Sequence, residues 1–238
     1  MSAERRPEKG KKIERLSIEL MKPSIKSLLS KLSPAIENGT FDVLIGDDAS
    51  GRLPSLAIWD IMKKRYVENG YPPPKLFFFA GSRGLKGFAL KKKIEDLQRA
   101  IHDLNKTRVD LNKKMLVITE YISAGDGMLP ISKALTAEDR PYEIATLSIN
   151  ADVKDSLKLS QYLGAPVRVG NISGITSIYN QPQLAGVEKD PKDLYATRTA
   201  ESYNQEYIQG ARKDIAVLSS QLYEEYCEAL TKEDPKNS

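Results

Sequence analysis

The chain has 238 residues, 40% of them hydrophobic, with a formal net charge of +4. Its single cysteine, Cys227, excludes an intramolecular disulfide and favours a reducing, cytoplasmic compartment. No apolar run approaches the roughly 20 residues that a membrane-spanning helix needs, so no membrane partner is expected.

The first twelve residues, MSAERRPEKGKK, are charged and are not followed by an apolar core. We expect residues 1–12 to form a mobile basic N-terminus rather than a signal peptide. The basic clusters in residues 5–15, at 91–93 and around Lys113 indicate solvated helix faces, with attraction of polyphosphate or nucleic acid as the functional alternative. No zinc-finger spacing or aromatic RNA-binding strand is present, so nucleic acid is not the expected partner, although the basic N-terminus leaves it open.

Hydrophobic patterning predicts a single domain, residues 13–238, in which helices alternate with short buried strands. The predicted strands are 41–46, 75–81, 113–119, 142–149 and 165–170. The predicted helices are 13–37 (kinked or divided at Pro23), 54–69, 88–111, 128–135, 156–164 and 199–230. Residues 171–195 are rich in turn-forming residues.

This alternation predicts an α/β fold with a mainly parallel sheet of about five strands, joined by right-handed crossovers and flanked by helices. Ligands of such sheets lie beyond the carboxyl ends of the strands. Polar loops containing glycine and serine follow three of the strands, at 46–53, 80–87 and 119–127. Together they form the candidate site, although turns between strands and helices also use glycine for conformational reasons alone.

The loop 119–127 has the composition of a phosphate site. Gly125 and Gly127 allow backbone N–H groups at a helix N-terminus to approach a phosphate, and Ser123 adds a hydroxyl. Glu120 is placed to accept hydrogen bonds from sugar hydroxyls. Asp126 opposes this, because an unpaired carboxylate ~4 Å from a phosphate charge costs about 4 kcal/mol at an effective dielectric of ~20. Binding therefore requires that Asp126 points away, is protonated or pairs with a cation.

Residues 116–127, LVITEYISAGDG, resemble the phosphoribosyl-diphosphate (PRPP) binding motif of type I phosphoribosyltransferases: an apolar strand, two acids, two further residues, a small residue and Thr-Gly-Gly-Thr. Thr119 and Glu120 stand at the acidic pair. The phosphate-loop positions are Ala124, Gly125, Asp126 and Gly127. The resemblance implies that Glu120 binds ribose hydroxyls and that residues 123–127 bind the 5′-phosphate. Thr119 replaces an acid and Asp126 a glycine, while Ala124 and Gly127 replace threonines.

The loop 46–53, GDDASGRL, stands where that family carries its pyrophosphate loop. Ser50, Gly51 and Arg52 offer a hydroxyl, a close backbone approach and a charged fork, which suit pyrophosphate. Asp47 and Asp48 are candidates to carry Mg²⁺ through water. In the structural alternative, Asp48 caps the next helix and Arg52 lies on the surface.

Two further loops complete the predicted site. Arg83 and Lys86, in residues 80–87, are placed to close over a diphosphate as a catalytic lid, with an ordinary basic turn as the alternative. In residues 171–186, Tyr179 is a candidate to stack on a base whose edge Asn180 and Gln181 would read, with a surface loop as the alternative.

The resemblance covers about residues 40–190 and implies an enzyme that transfers ribose 5-phosphate from PRPP to a nitrogenous base or related acceptor, releasing pyrophosphate with Mg²⁺ present. It also makes a homodimer possible. One alternative is a non-catalytic protein of the same fold that binds a nucleotide or sugar phosphate in a regulatory role. Another is a transferase or hydrolase of a different sugar phosphate, with Asp126 directed at a hydroxyl.

Overall fold

The computed structural model describes residues 16–47, 51–81, 84–107, 110–150, 156–171, 187–188, 192–198 and 205–233. Its elements in chain order are α1 (Leu16–Glu19), α2 (Lys22–Glu37), β1 (Phe41–Asp47), α3 (Arg52–Glu68), β2 (Lys75–Phe79), α4 (Gly87–Asn105), β3 (Lys114–Ile122), α5 (Leu129–Ala137), β4 (Tyr142–Ile149), α6 (Ser156–Leu163), β5 (Val167–Asn171), β6 (Val187–Glu188), β7 (Thr197–Arg198) and α7 (Gln205–Glu233).

Five parallel strands form one sheet in the order β2-β1-β3-β4-β5, which confirms the predicted α/β fold class. The chain moves outward from β1 to β2 and then crosses back to β3 on the other side of β1. The order therefore reverses between β1 and β3, where doubly wound folds bind their ligands beyond the carboxyl ends of the strands. Among the described residues, no helix is both long and apolar enough to cross a membrane.

Helices cover both faces of this sheet. On one face α1, α2, α3 and α7 pack against Leu44, Leu116 and Leu147, whose side chains are fully buried. On the other face α4, α5 and α6 pack against Val43, Val117 and Ile144. Because both faces are covered, every residue of the interior strand β4 is buried, as is usual in parallel sheets.

The predicted helix 13–37 is divided near Pro23, as expected, into α1 and α2, with Pro23 in the first turn of α2, where its missing N–H costs nothing. Two features of the strands differ from those predicted. Strand β3 continues to Ile122, three residues past its predicted end, so Glu120 lies within the strand. The short antiparallel pair of β6 and β7 was not predicted.

One lysine of the basic cluster 91–93 is buried rather than solvated. Lys93 is 2% exposed, and its ammonium group donates a hydrogen bond to the backbone carbonyl of Asp193. The same segment is bound to the end of β2, because the N–H of Ala80 donates to the carbonyl of Leu194 at 2.9 Å. Residues 192–196 are therefore attached to both α4 and the edge strand of the sheet.

Glu37, at the end of α2, joins the helices of one face. Nε and Nη2 of Arg65 on α3 donate to its carboxylate, with Nη2–Oε2 at 2.6 Å, and the hydroxyl of Tyr226 on α7 donates at 2.8 Å. Burial alone raises the pKa of this carboxyl, but hydrogen bonds from Arg65, Tyr226 and Asn69 outweigh it and hold the pKa below its ordinary value of 4.5.

The first prediction concerns this junction. Glu37→Gln is expected to lower the free energy of unfolding by about 1–3 kcal/mol at pH 7; the side chains are about one-quarter exposed, so solvent screens part of the attraction. A carboxyl with a lowered folded pKa stabilises above its unfolded pKa and loses that contribution as pH falls through the folded pKa. The difference between wild type and variant should therefore be complete at pH 7 and shrink below about pH 4.5.

The matched control is Glu68→Gln, which removes the other carboxylate of the same guanidinium, at 3.1 Å from Nη1. The side chain of Glu68 is 50% exposed, so its loss should cost less than about 1 kcal/mol. Urea unfolding of the three proteins at pH 7 and pH 3.5 measures both effects. Equal losses from the two variants at pH 7 would contradict a junction centred on Glu37.

Candidate functional site

Asp47, the last residue of β1, joins the carboxyl ends of three strands. Its Oδ1 accepts a hydrogen bond from the N–H of Gly81, just after β2, at 2.9 Å. Its Oδ2 accepts from the hydroxyl of Thr119 on β3 at 3.4 Å, and its backbone carbonyl accepts from the N–H of Gly51 at 2.6 Å. The residue is 6% exposed. One carboxylate therefore brings the three predicted loops to one place at the switch point of the sheet.

The backbones of the loops are also in direct contact, and this contact explains why two of the loop positions are glycine. A Cβ on Gly81 would lie 2.3 Å from the carbonyl oxygen of Gly127, so the second and third loops are in direct contact. A Cβ on Gly51 would lie 2.4 Å from the carbonyl oxygen of Ile118. Any larger residue at either position would force the strand ends apart.

The predicted acidic-pair positions, Thr119 and Glu120, lie on opposite faces of β3. Side chains alternate along a strand, so Thr119 turns towards Asp47, and Glu120 shares the α3 side of the sheet with Leu116 and Ile118. Glu120 is completely buried. In this structure it therefore does not reach the surface where a sugar would bind.

The predicted phosphate loop, residues 123–127, connects β3 to α5. Gly125 has φ +93, a conformation that favours glycine, and its carbonyl accepts hydrogen bonds from the N–H groups of Met128 and Leu129 as α5 begins. In the part of the chain that the structure describes, the backbone N–H groups of residues 124–127 have no protein acceptor. Ser123 and Gly127 are half-buried, and Ala124 is exposed. Such a run of N–H groups before a helix is suited to an anion.

The carboxylate of Asp126 is bound to a side chain of α6 rather than to these N–H groups. Its Oδ1 accepts a hydrogen bond from the hydroxyl of Tyr162 on α6 at 2.9 Å. The ring of Tyr162 lies against Gly125, where a Cβ would meet two ring carbons at 3.0 Å. Burial, and then the hydrogen bond to Asp126, raise the pKa of Tyr162 above its ordinary value, so the hydroxyl keeps its proton as the donor.

Arg52, the first residue of α3, lies beside the first loop. Its guanidinium carbon is 4.3 Å from the centre of the Phe78 ring on β2, a cation–π arrangement that fixes the side chain at the carboxyl edge of the sheet. Arg52 is half-buried. Lys86 directly precedes α4 in an extended conformation and is exposed.

Several predicted site residues lie outside the described residues. They are Asp48, Ser50, Arg83, Tyr179, Asn180 and Gln181. The described site therefore consists of residues from the three loops and α6, and the predicted base-binding and lid contacts remain predictions.

The described residues do not fit a protein-bound Mg²⁺. Both carboxylate oxygens of Asp47 accept hydrogen bonds from the chain, and the residue is almost inaccessible to solvent. Among the described residues, no group of three or more His, Cys, Asp or Glu is placed to hold a metal ion. In the structure Asp47 holds the loops together, and because Asp48 lies outside the described residues, Mg²⁺ carried by the two acids through water remains a prediction.

Sequence reasoning missed Gly81, Phe78 and Tyr162. Gly81 was within a predicted loop, but its hydrogen-bond partner Asp47 is 34 residues away in the sequence, so no local pattern indicates this bond. Tyr162 lies 36 residues from Asp126, on a helix to which the sequence assigned no part in the site. The ring of His102 is on the surface, 56% exposed, with Nδ1 3.0 Å from Oε2 of Glu138.

Comparisons with known proteins return no match: no family model, curated protein or solved structure is significantly similar to this chain. The function is therefore inferred from the geometry of the site and from the resemblance of residues 116–127.

The second prediction tests the contact between the loops. Gly81→Ala is expected to lower the free energy of unfolding by about 1–3 kcal/mol, because the new Cβ would overlap the backbone of Gly127. Gly127→Ala is the matched control: a Cβ there meets nothing within 4 Å, so the change should stay within about 0.5 kcal/mol. Urea unfolding followed by circular dichroism measures both. Equal stability of the two variants would contradict the close contact.

Proposed function

We propose that the protein binds PRPP and transfers its ribose 5-phosphate group to a nitrogenous base or related acceptor, releasing pyrophosphate. The observation that carries this proposal is the meeting of three loops at the switch point of the sheet, with Asp126 turned onto Tyr162. The carboxylate that most opposes a phosphate ligand is thereby directed to a protein donor. The strand order and the resemblance of residues 116–127 support the same proposal.

In this proposal the two ends of the substrate bind to different loops. The N–H groups of residues 124–127 and the hydroxyl of Ser123 hold the 5′-phosphate. Arg52, positioned by Phe78, holds the diphosphate, with Lys86 approaching from the second loop. As the bond from the sugar to the diphosphate breaks, negative charge develops on the leaving group, where a fixed guanidinium stabilises it most.

Mg²⁺ enters this proposal through the substrate. Mg²⁺ keeps several waters and binds readily to substrate phosphate oxygens, so it does not need Asp47 as a ligand. Bound to the diphosphate, it would supply charge neutralisation to the leaving group. The residues of the chain orient that diphosphate and exclude water from it.

The burial of Glu120 favours a second candidate function, a non-catalytic protein that binds a nucleotide or sugar phosphate in a regulatory role. A carboxylate that orients ribose must contact its hydroxyls, and Glu120 is completely buried beneath α3. An enzyme would need Glu120 to become exposed when substrate binds, whereas a binding protein would not. Release of pyrophosphate from PRPP in the presence of purine and pyrimidine bases separates the two functions.

The third prediction is binding of PRPP itself. Isothermal titration calorimetry with PRPP, with and without Mg²⁺, is expected to show saturable binding at millimolar concentration or below. Arg52→Ala should weaken binding of PRPP and of pyrophosphate by about tenfold or more, since a hydrogen bond to a charged group contributes roughly 1.5–3 kcal/mol. The absence of heat from wild type at millimolar PRPP would contradict the proposed function.

The matched control for Arg52→Ala is Arg99→Ala. Arg99 is on α4, twelve residues from its first residue Gly87 and so about 18 Å along the helix axis, and its side chain is 76% exposed. Its removal takes away the same charge, yet it should change PRPP affinity by less than about twofold because solvent and salt screen distant exposed charges. Equal losses from both variants would mean that Arg52 acts only through net charge.

A further inference from the structure

A carboxylate stands in the middle of the loop that the proposed function assigns to phosphate. Asp126 is flanked by Gly125 and Gly127, and its own N–H is one of those without a protein acceptor in the described part of the chain. A short side chain there can turn in over the N–H groups or out towards α6. If it turned in, the carboxylate would occupy the phosphate position or repel a phosphate bound there.

Tyr162 determines which of these directions is stable. Its hydroxyl donates to Oδ1 of Asp126 at 2.9 Å, and its ring packs against Gly125, with Leu159 of the same helix 3.6 Å from the position of an added Cβ. The ring thus holds the loop backbone from one side while the hydroxyl holds the acid. Tyr162 remains 47% exposed, so the pair lies at the rim of the site.

The backbone conformation of Gly125 and its lack of a side chain allow the contact with Tyr162. At φ +93 any side chain would be strained, and an added Cβ would lie 3.0 Å from two carbons of the Tyr162 ring, so glycine suits this position. In addition, α6 packs on α5, the helix that follows this loop in the chain. The tyrosine therefore acts on the loop from a helix whose position is fixed by the core of the protein.

We propose that Tyr162 is a positioning residue that holds Asp126 away from the N–H groups of residues 124–127 and so makes this loop able to accept a phosphate. We call this pair the Tyr162–Asp126 latch. The inference rests on the proposed function, because it assigns the loop to phosphate. It adds a residue outside the resembling segment and explains how an acid is tolerated within that loop.

The test is a double-mutant cycle with PRPP affinity as the readout. Tyr162→Phe keeps the ring against Gly125 and removes only the hydroxyl, so the fold should be retained. Released from its donor, the carboxylate is expected to weaken PRPP binding on the order of tenfold, the effect of one charge brought near the phosphate in partly solvated surroundings. Urea unfolding of each variant checks that the fold is intact.

Asp126→Asn provides the second arm of the cycle. It removes the charge, so PRPP should bind at least as tightly as to wild type, and adding Tyr162→Phe to this variant should cause no further loss. A purely structural role of Tyr162 would instead give the same loss in both backgrounds.

The outcomes separate the latch from the proposed function. Equal PRPP affinity of wild type and Tyr162→Phe, or a loss that persists when Asp126 is Asn, would overturn the latch while leaving PRPP binding in place. If wild type and all variants fail to bind PRPP, the proposed function falls, and the latch as a device for phosphate binding falls with it.

Discussion

The carboxylate of Asp47 is the constraint on which the candidate site depends. A parallel sheet places the ends of its strands at one edge, but it does not determine how the loops beyond them meet. Asp47 accepts from Gly81 after β2 and from Thr119 on β3, and its backbone carbonyl holds the start of the turn into α3. Because Asp47 is only 6% exposed, water competes little with these hydrogen bonds. The three loops are therefore held together at one point.

Helices on both faces of the sheet position side chains around Asp47. Helix α3 begins at Arg52 and carries its guanidinium onto Phe78, and α6 brings Tyr162 to the phosphate loop. On the α3 face, Glu37 connects α2, α3 and α7 into one layer. The side chains of Arg52 and Tyr162 are thereby placed by packed elements rather than by loops alone.

Local patterns in the sequence were sufficient to predict the fold class. Apolar runs predicted all five parallel strands within a few residues, because both faces of the sheet are buried and such runs stand out. The end of β3 was missed, since Tyr121 and Ile122 continue the strand after a buried acid that reads as a loop residue. That difference of three residues places Glu120 inside the sheet, where the pattern had predicted a sugar ligand.

The site was predictable only where it depends on neighbours in the chain. Glycine and serine at the strand ends predicted which loops meet. The direction of Asp126 depends on Tyr162, and the role of Asp47 depends on Gly81, and neither partner is close in sequence. From local sequence alone, an acid among glycines indicates a phosphate loop that has lost its function, because its distant hydrogen-bond donor cannot be recognised there.

The most direct test of the central claim is a crystal structure of the protein with ribose 5-phosphate. The account predicts that the phosphate lies within hydrogen-bond distance of the N–H groups of residues 124–127, while the carboxylate of Asp126 remains on the hydroxyl of Tyr162. A phosphate bound elsewhere on the protein, or an Asp126 carboxylate turned in over those N–H groups, would contradict it.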